Sequence, residues 1–129
     1  RKWFLDKMVN ACRAIRDQKE ERSNSAAKKA MLYIQENYSK DISLDDVSGL
    51  VNISPYYFSK IFKEETGETF IEYLTKIRIE KAKEFLVKPD ISIKEAGIRS
   101  GYTDPNYFSR IFKKQTDMTP SEYKTRYGE

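Results

Sequence analysis

PYYFSKIFKEETGETFIEY (Pro55–Tyr73) decides the fold, because the chain writes it a second time as PNYFSRIFKKQTDMTPSEY (Pro105–Tyr123). Pro, Tyr, Phe, Ser, Ile, Phe, Lys, Thr, Thr, Glu and Tyr keep their places, and Lys60 becomes the equally positive Arg110. The match extends backwards, with Ile42-Ser43-Leu44 before the first copy and Ile91-Ser92-Ile93 before the second. The second copy carries one extra residue near Asp104. Two equivalent units are expected, each presenting a basic, aromatic-bearing helix. Such a pair suits a partner that itself repeats, and duplex DNA is the leading candidate.

Local signals divide each copy into short helix, turn and second helix. Ser43 before LDDV is a good N-cap, with Asp45 and Asp46 favourable in the first turn. Pro55 takes the first helical position with Ser54 as its cap, and Gly67 is the natural left-handed terminator. Ser92, the turn Gly101–Asp104 and Pro105 repeat the plan, and a last helix runs from Pro120 to about Tyr127. Gly97 and Gly101 let the second pair of helices approach and turn; Ser48 and Asn52 hold those places in the first, and Asn tolerates positive φ. Short helix, tight turn and second helix make a helix-turn-helix, here twice. Between the units, Thr69–Val87 reads as one long helix with Phe70, Tyr73, Leu74, Ile77, Ala82 and Leu86 at helical spacing. It would span about 25–28 Å, a strut able to set two helices about one DNA turn apart. Its cations Lys76, Arg78, Lys81 and Lys83 either face phosphates or are balanced by Glu72, Glu80 and Glu84.

Upstream, residues 3–16 form an amphipathic stripe (Leu5, Met8, Cys12, Ile15), followed by the polar run 17–25. The stripe reads as the last helix of a preceding domain, with dimer contact as the second possibility. A further helix is expected after Ser25, burying Ala27, Ala30, Met31, Ile34 and Tyr38.

Winding Pro55–Glu65 at about 100° per residue gathers Phe58, Ile61 and Phe62 on one face. Tyr56, Ser59, Lys60 and Lys63 collect opposite. The second copy divides the same way, with Phe108, Ile111 and Phe112 inward and Asn106, Ser109, Arg110 and Lys113 outward. The outward sets hold hydrogen-bonding groups and cations but no carboxylate, as a helix laid in a major groove requires. For one helix alone, Lys63 or Lys113 would as readily be an ordinary solvated lysine. The duplication favours DNA. Tyr57 and Tyr107 fall between the faces and read as packing residues.

Composition narrows the class. With 129 residues, 34% charged, and Lys and Arg exceeding Asp and Glu by four, the chain is a soluble helical domain without room for a large interdomain cleft. It has no histidine and only Cys12, which excludes zinc-finger spacing and an internal disulfide. No catalytic residue, metal site or cofactor is expected. The apolar runs are too short for a membrane span, the compartment is read as cytoplasmic, and a start at Arg1 suggests a piece of a longer chain.

The stretches ISLDDV…NISPYYFSKIFKEETGETFIEYLTKIRIEKAKEFL and SIKEAGIRSGYTDPNYFSRIFKKQTDMTPSEYK resemble the AraC/XylS family of bacterial transcription regulators over residues 26–127. The resemblance implies an all-α fold: subdomain 26–68, linker helix 69–87 and subdomain 88–127, preceded by a connector at 1–25. By position, Tyr56, Ser59 and Lys60 would face bases in one major groove. Asn106, Ser109 and Arg110 would do so in the next, with Ser54, Lys63, Lys113 and Lys114 near phosphates. The implied partners are double-stranded DNA, RNA polymerase and an upstream regulatory domain in the same chain, with a homodimer as a further possibility. Residues 1–25 look like the connector that follows a receiver domain in two-component response regulators.

The second unit departs from the family pattern. Ala96 and Gly97 replace the usual Ile-Ala, Ser100 an apolar residue and Asp117 a glycine. Losing an Ile to Ala costs about 2–5 kcal/mol if nothing fills the space, so the second unit is expected to be the less stable. The competing reading of the whole chain is a helical protein-interaction module docking an acidic partner.

Overall fold

The computed structural model describes residues 25–128, and among them every regular element is a helix. These are α1 (residues 25–37), α2 (Leu44–Leu50), α3 (Pro55–Thr66), α4 (Phe70–Leu86), α5 (Ile93–Ser100), α6 (Pro105–Thr116) and α7 (Pro120–Tyr127). The stripe expected at residues 3–16 and nearly all of the polar run 17–25 lie outside the described residues.

The caps fall where the sequence puts them. Ser43, Thr69 and Thr119 each close a capping box with an acidic residue three positions on. Ser54 Oγ accepts from the Tyr57 N–H at 3.2 Å. Gly67 and Asp117 end α3 and α6 at φ 80° and φ 64°. Asn52 (φ 59°) and Gly101 (φ 110°) make the two interhelical turns. The Ile53 N–H donates to the Ser48 carbonyl, and the Tyr102 N–H to the Gly97 carbonyl. Tyr102 is therefore the counterpart of Ile53, and Thr103 is the added residue.

Two aromatic-centred cores result. The first joins Ala27, Ala30 and Ile34 of α1, Val47 of α2, Phe58 and Phe62 of α3, and Phe70, Tyr73 and Leu74 at the start of α4. The second joins Ile79, Ala82 and Leu86 from the rest of α4 to Ala96, Tyr102, Phe108 and Phe112. Ring packing repeats as well. Phe62 meets Tyr73 edge-on at 5.6 Å, and Phe112 meets Tyr123 at 5.5 Å. Each Thr66 and Thr116 hydroxyl donates to the preceding-turn carbonyl at 2.7 Å, locking the end of its helix. Lys124 Nζ donates to the carbonyls of Leu86, Lys88 and Ile91 at 3.0, 2.9 and 2.8 Å, fastening α7 to the end of α4. A cation there also complements the negative end of the α4 dipole.

Three expectations change. Ile77 is only partly buried, whereas Ile79, absent from the expected stripe, is 3% exposed. From Leu74 to Ile79 the buried side turns by about 140° at about 100° per residue, because α4 serves a different core on each half. Second, no empty space is left at Gly97: a Cβ there would sit 2.8 Å from the Phe108 ring. Phe108 stacks on Tyr102 at 5.6 Å, so a ring occupies the room beside Gly97. Ser100 is fully buried but satisfied, its hydroxyl donating to the Gly97 carbonyl at 3.0 Å. At Gly97, then, the expected packing deficit is absent. Third, Tyr57 and Tyr107 are 40% and 46% exposed.

Candidate nucleic-acid interface

Each helix-turn-helix presents its second helix, α3 or α6, by burying one face and leaving the other in solvent. Phe58, Ile61 and Phe62 anchor α3; Phe108 and Phe112 anchor α6, with Ile111 partly buried. On the opposite sides, Tyr56, Lys60 and Lys63 are exposed on α3, and Asn106, Arg110, Lys113 and Lys114 on α6. Ser59 and Ser109 are half-buried in both copies. Tyr56 is the most outward of the large apolar-bodied residues, at 84% exposed. At that exposure its ring and hydroxyl are accessible to a ligand.

The cations are not equally free. Lys63 Nζ lies 3.8 Å from Glu72, and Lys113 Nζ 3.8 Å from Glu122. Each of these glutamates also closes the capping box of the next helix. Backbone and hydroxyl hydrogen bonds from Thr69, then the Lys63 charge, hold the Glu72 carboxyl below its ordinary range; Thr119 and Lys113 do the same to Glu122. Solvent screens such exposed pairs strongly, so a phosphate can displace the carboxylate. Arg110 is held differently, with its guanidinium 5.8 Å from the Tyr107 ring centroid. Tyr107 in turn lies 5.9 Å from Tyr102. Tyr107 thus combines exposure with packing, steering the Arg110 side chain.

The two N-termini differ. Ser54 caps α3 with a neutral hydroxyl, whereas Asp104 caps α6 with a carboxylate that accepts from the Asn106 N–H at 3.0 Å. The aspartate opposes an anion at the α6 end. An Asp directly before Pro at a helix start is an N-cap signal in its own right, so this carboxylate beside the carboxylate-free face was open to sequence reasoning.

Three of the strut's four cations are balanced by carboxylates, Lys76 by Glu68 in place of the expected Glu72. Lys76, Lys81 and Lys83 lie 2.6, 3.6 and 3.1 Å from Glu68, Glu84 and Glu80. Arg78 turns inward and donates to backbone carbonyls at Tyr38 and Lys40. Among the described residues there is no cluster of three potential metal ligands, and no helix is long and apolar enough to cross a membrane.

A family model described as a helix-turn-helix domain matches residues 47–126. The chain belongs to this AraC-type helix-turn-helix family. It is similar to the regulatory protein PocR of Salmonella typhimurium, 39% identical over 80 residues that cover 62% of this chain and 26% of PocR. Among solved structures, the C-terminal domain of AraT, a response regulator from Geobacillus stearothermophilus, superposes with a TM-score of 0.78 at 39% identity, covering 81% of this chain and 87% of that one. The C-terminal domain of the two-component response regulator yesN from Fusobacterium nucleatum gives 0.74 at 33%, covering 78% and 98%. The chain thus spans about a quarter of the curated relative and nearly all of the two solved domains. As an AraC-type domain it is a DNA-binding output module of transcription regulation.

Proposed function

We propose that the chain binds specific double-stranded DNA sites by laying α3 and α6 into adjacent major grooves. Tyr56, Ser59 and Lys60 face bases in one groove, and Asn106, Ser109 and Arg110 in the next. Ser54, Lys63, Lys113 and Lys114 contact phosphates. The observation that carries this reading is the duplicated outward face, exposed at Lys60 and Arg110 on helices whose opposite sides are buried at Phe58, Phe62, Phe108 and Phe112. Arg110 suits bidentate contact with guanine, and Asn106 with adenine. Division into units 26–68 and 88–127 around a linker helix at 69–87 follows the two cores. Residues 1–25 serve as the connector to an upstream regulatory domain of the response-regulator type. RNA polymerase contact, a homodimer and a cytoplasmic location belong to the same reading, and the chain performs no catalysis of its own.

The experiment is selection of duplexes from a random library, followed by fluorescence anisotropy with Lys60→Ala, Arg110→Ala and Lys63→Ala. The first two are expected to lose about 1–3 kcal/mol of discrimination at individual base pairs. Lys63→Ala is expected to weaken all duplexes alike and to flatten the salt dependence by about one phosphate. Unchanged affinity and specificity in all three would refute the assigned face.

A further inference from the structure

Arg78 stands on α4 between the two cores, after Leu74 and directly before Ile79. Its Nε donates to the Tyr38 carbonyl at 2.7 Å and its Nη2 to the Lys40 carbonyl at 2.9 Å. Both acceptors lie just past α1, in the turn that leaves it. The same guanidinium is 5.4 Å from the centroid of the Tyr102 ring, a core residue of the second unit. Gly101 completes the junction. A Cβ there would lie 2.7 Å from Arg78 Nε and 2.8 Å from the Tyr38 carbonyl oxygen, so the second unit's turn presses directly on the exit of α1. One side chain therefore ties together the opening helix of the first unit, the strut, and the turn in front of α6.

The line of contacts continues outward. Tyr102 meets Tyr107 at 5.9 Å, and Tyr107 carries Arg110 at 5.8 Å. Apolar contacts of the two cores with α4 set distance but little direction. The guanidinium's hydrogen bonds are directional and come from one rigid plane, so they also set rotation.

We infer that Arg78 is a positioning residue that fixes the mutual rotation of α3 and α6, and with it the half-site spacing the chain accepts. This rests on the two-groove reading above. Each added base pair moves a half-site by about 3.4 Å along the duplex and about 35° around it. A locked pair of helices follows one spacing, and an unlocked pair follows several.

The test uses duplexes selected by the wild-type chain, then remade with one base pair inserted or deleted between the half-sites. Anisotropy is measured for the wild type, Arg78→Lys and Arg78→Ala. The wild type is expected to lose about tenfold in affinity per base pair of error, the scale of one lost base contact. Both variants are expected to lose less than about threefold across the series, on the same scale, while binding single half-site duplexes as the wild type does. Arg78→Lys keeps the charge but not the planar fork, separating orientation from attraction. A wild-type spacing profile in the variants overturns the inference. So does failure of both variants to fold, which would make Arg78 a support of the cores instead. A wild-type chain that selects no duplex at all overturns the two-groove reading, and this inference falls with it.

Discussion

Replacing Gly97 with alanine puts a methyl group 2.8 Å from Phe108 Cδ2, 3.1 Å from Cγ and 3.3 Å from Cε2. The ring must retreat by about 0.6 Å to regain ordinary contact, and it has little room to do so. Tyr102 stacks on one side of it at 5.6 Å, and Phe112 meets it at 5.8 Å. Overpacking of this kind costs about 1–3 kcal/mol. Alanine also gains about 1 kcal/mol of helix propensity over glycine, so the net loss should be about 0–2 kcal/mol. Gly49 supplies the internal control. It too lies inside a short helix, but a Cβ there meets nothing within 4 Å. Gly49→Ala should therefore stabilise by up to about 1 kcal/mol. Propensity cancels between the two variants, leaving a gap of about 1–3 kcal/mol that reports the Phe108 contact alone. Urea melts followed by circular dichroism would measure it. Because Phe108 anchors α6, Gly97→Ala should also weaken DNA binding, while Gly49→Ala should not. If Gly97→Ala raised the midpoint as far as Gly49→Ala does, the account of a ring filling the space beside α5 would be wrong.

The capping glutamates should shape the acid limb of stability. Glu72 and Glu122 have depressed carboxyl pKa values, so their contribution is complete above the ordinary 4.5 and fades as pH falls below it. Acid melts of Glu72→Gln/Glu122→Gln should show a shallower pH dependence below 4.5 than the wild type, and an unchanged slope would contradict the assignment. Asp104→Ser keeps a cap but removes a charge from the α6 N-terminus; DNA affinity should rise about two- to fivefold, and a fall would show that the carboxylate contacts the site productively. Asp117 holds φ 64° at a position suited to glycine. Asp117→Gly should therefore raise stability by about 0.5–1 kcal/mol in urea melts, and a lowered midpoint would contradict the strain argument.

Repetition made most of this architecture legible before any coordinates. A motif written twice fixes the register of caps, turns and faces, and Phe58, Phe62, Phe108 and Phe112 lie where their spacing puts them. The exposed set on α3 and α6 was legible for the same reason. Contacts across long sequence separations were not. Arg78 reaches carbonyls 40 and 38 residues away, and Lys124 reaches three that are 33–38 away; periodicity says nothing about either. Tyr102 looked like a turn residue because only its position between Gly101 and Asp104 was visible. Ile79 was missed because a single stripe cannot describe a helix that buries one side and then another.

That change of side along α4 has a practical meaning for modularity. Ile77 is the last α4 side chain packed against one aromatic cluster and Ile79 the first of the other, so position 78 between them marks the seam of the two interiors. Chimeras joined there would inherit both clusters whole, letting one reading head be exchanged while its companion keeps its own target. The guanidinium at the seam would then decide whether the exchanged heads remain in phase.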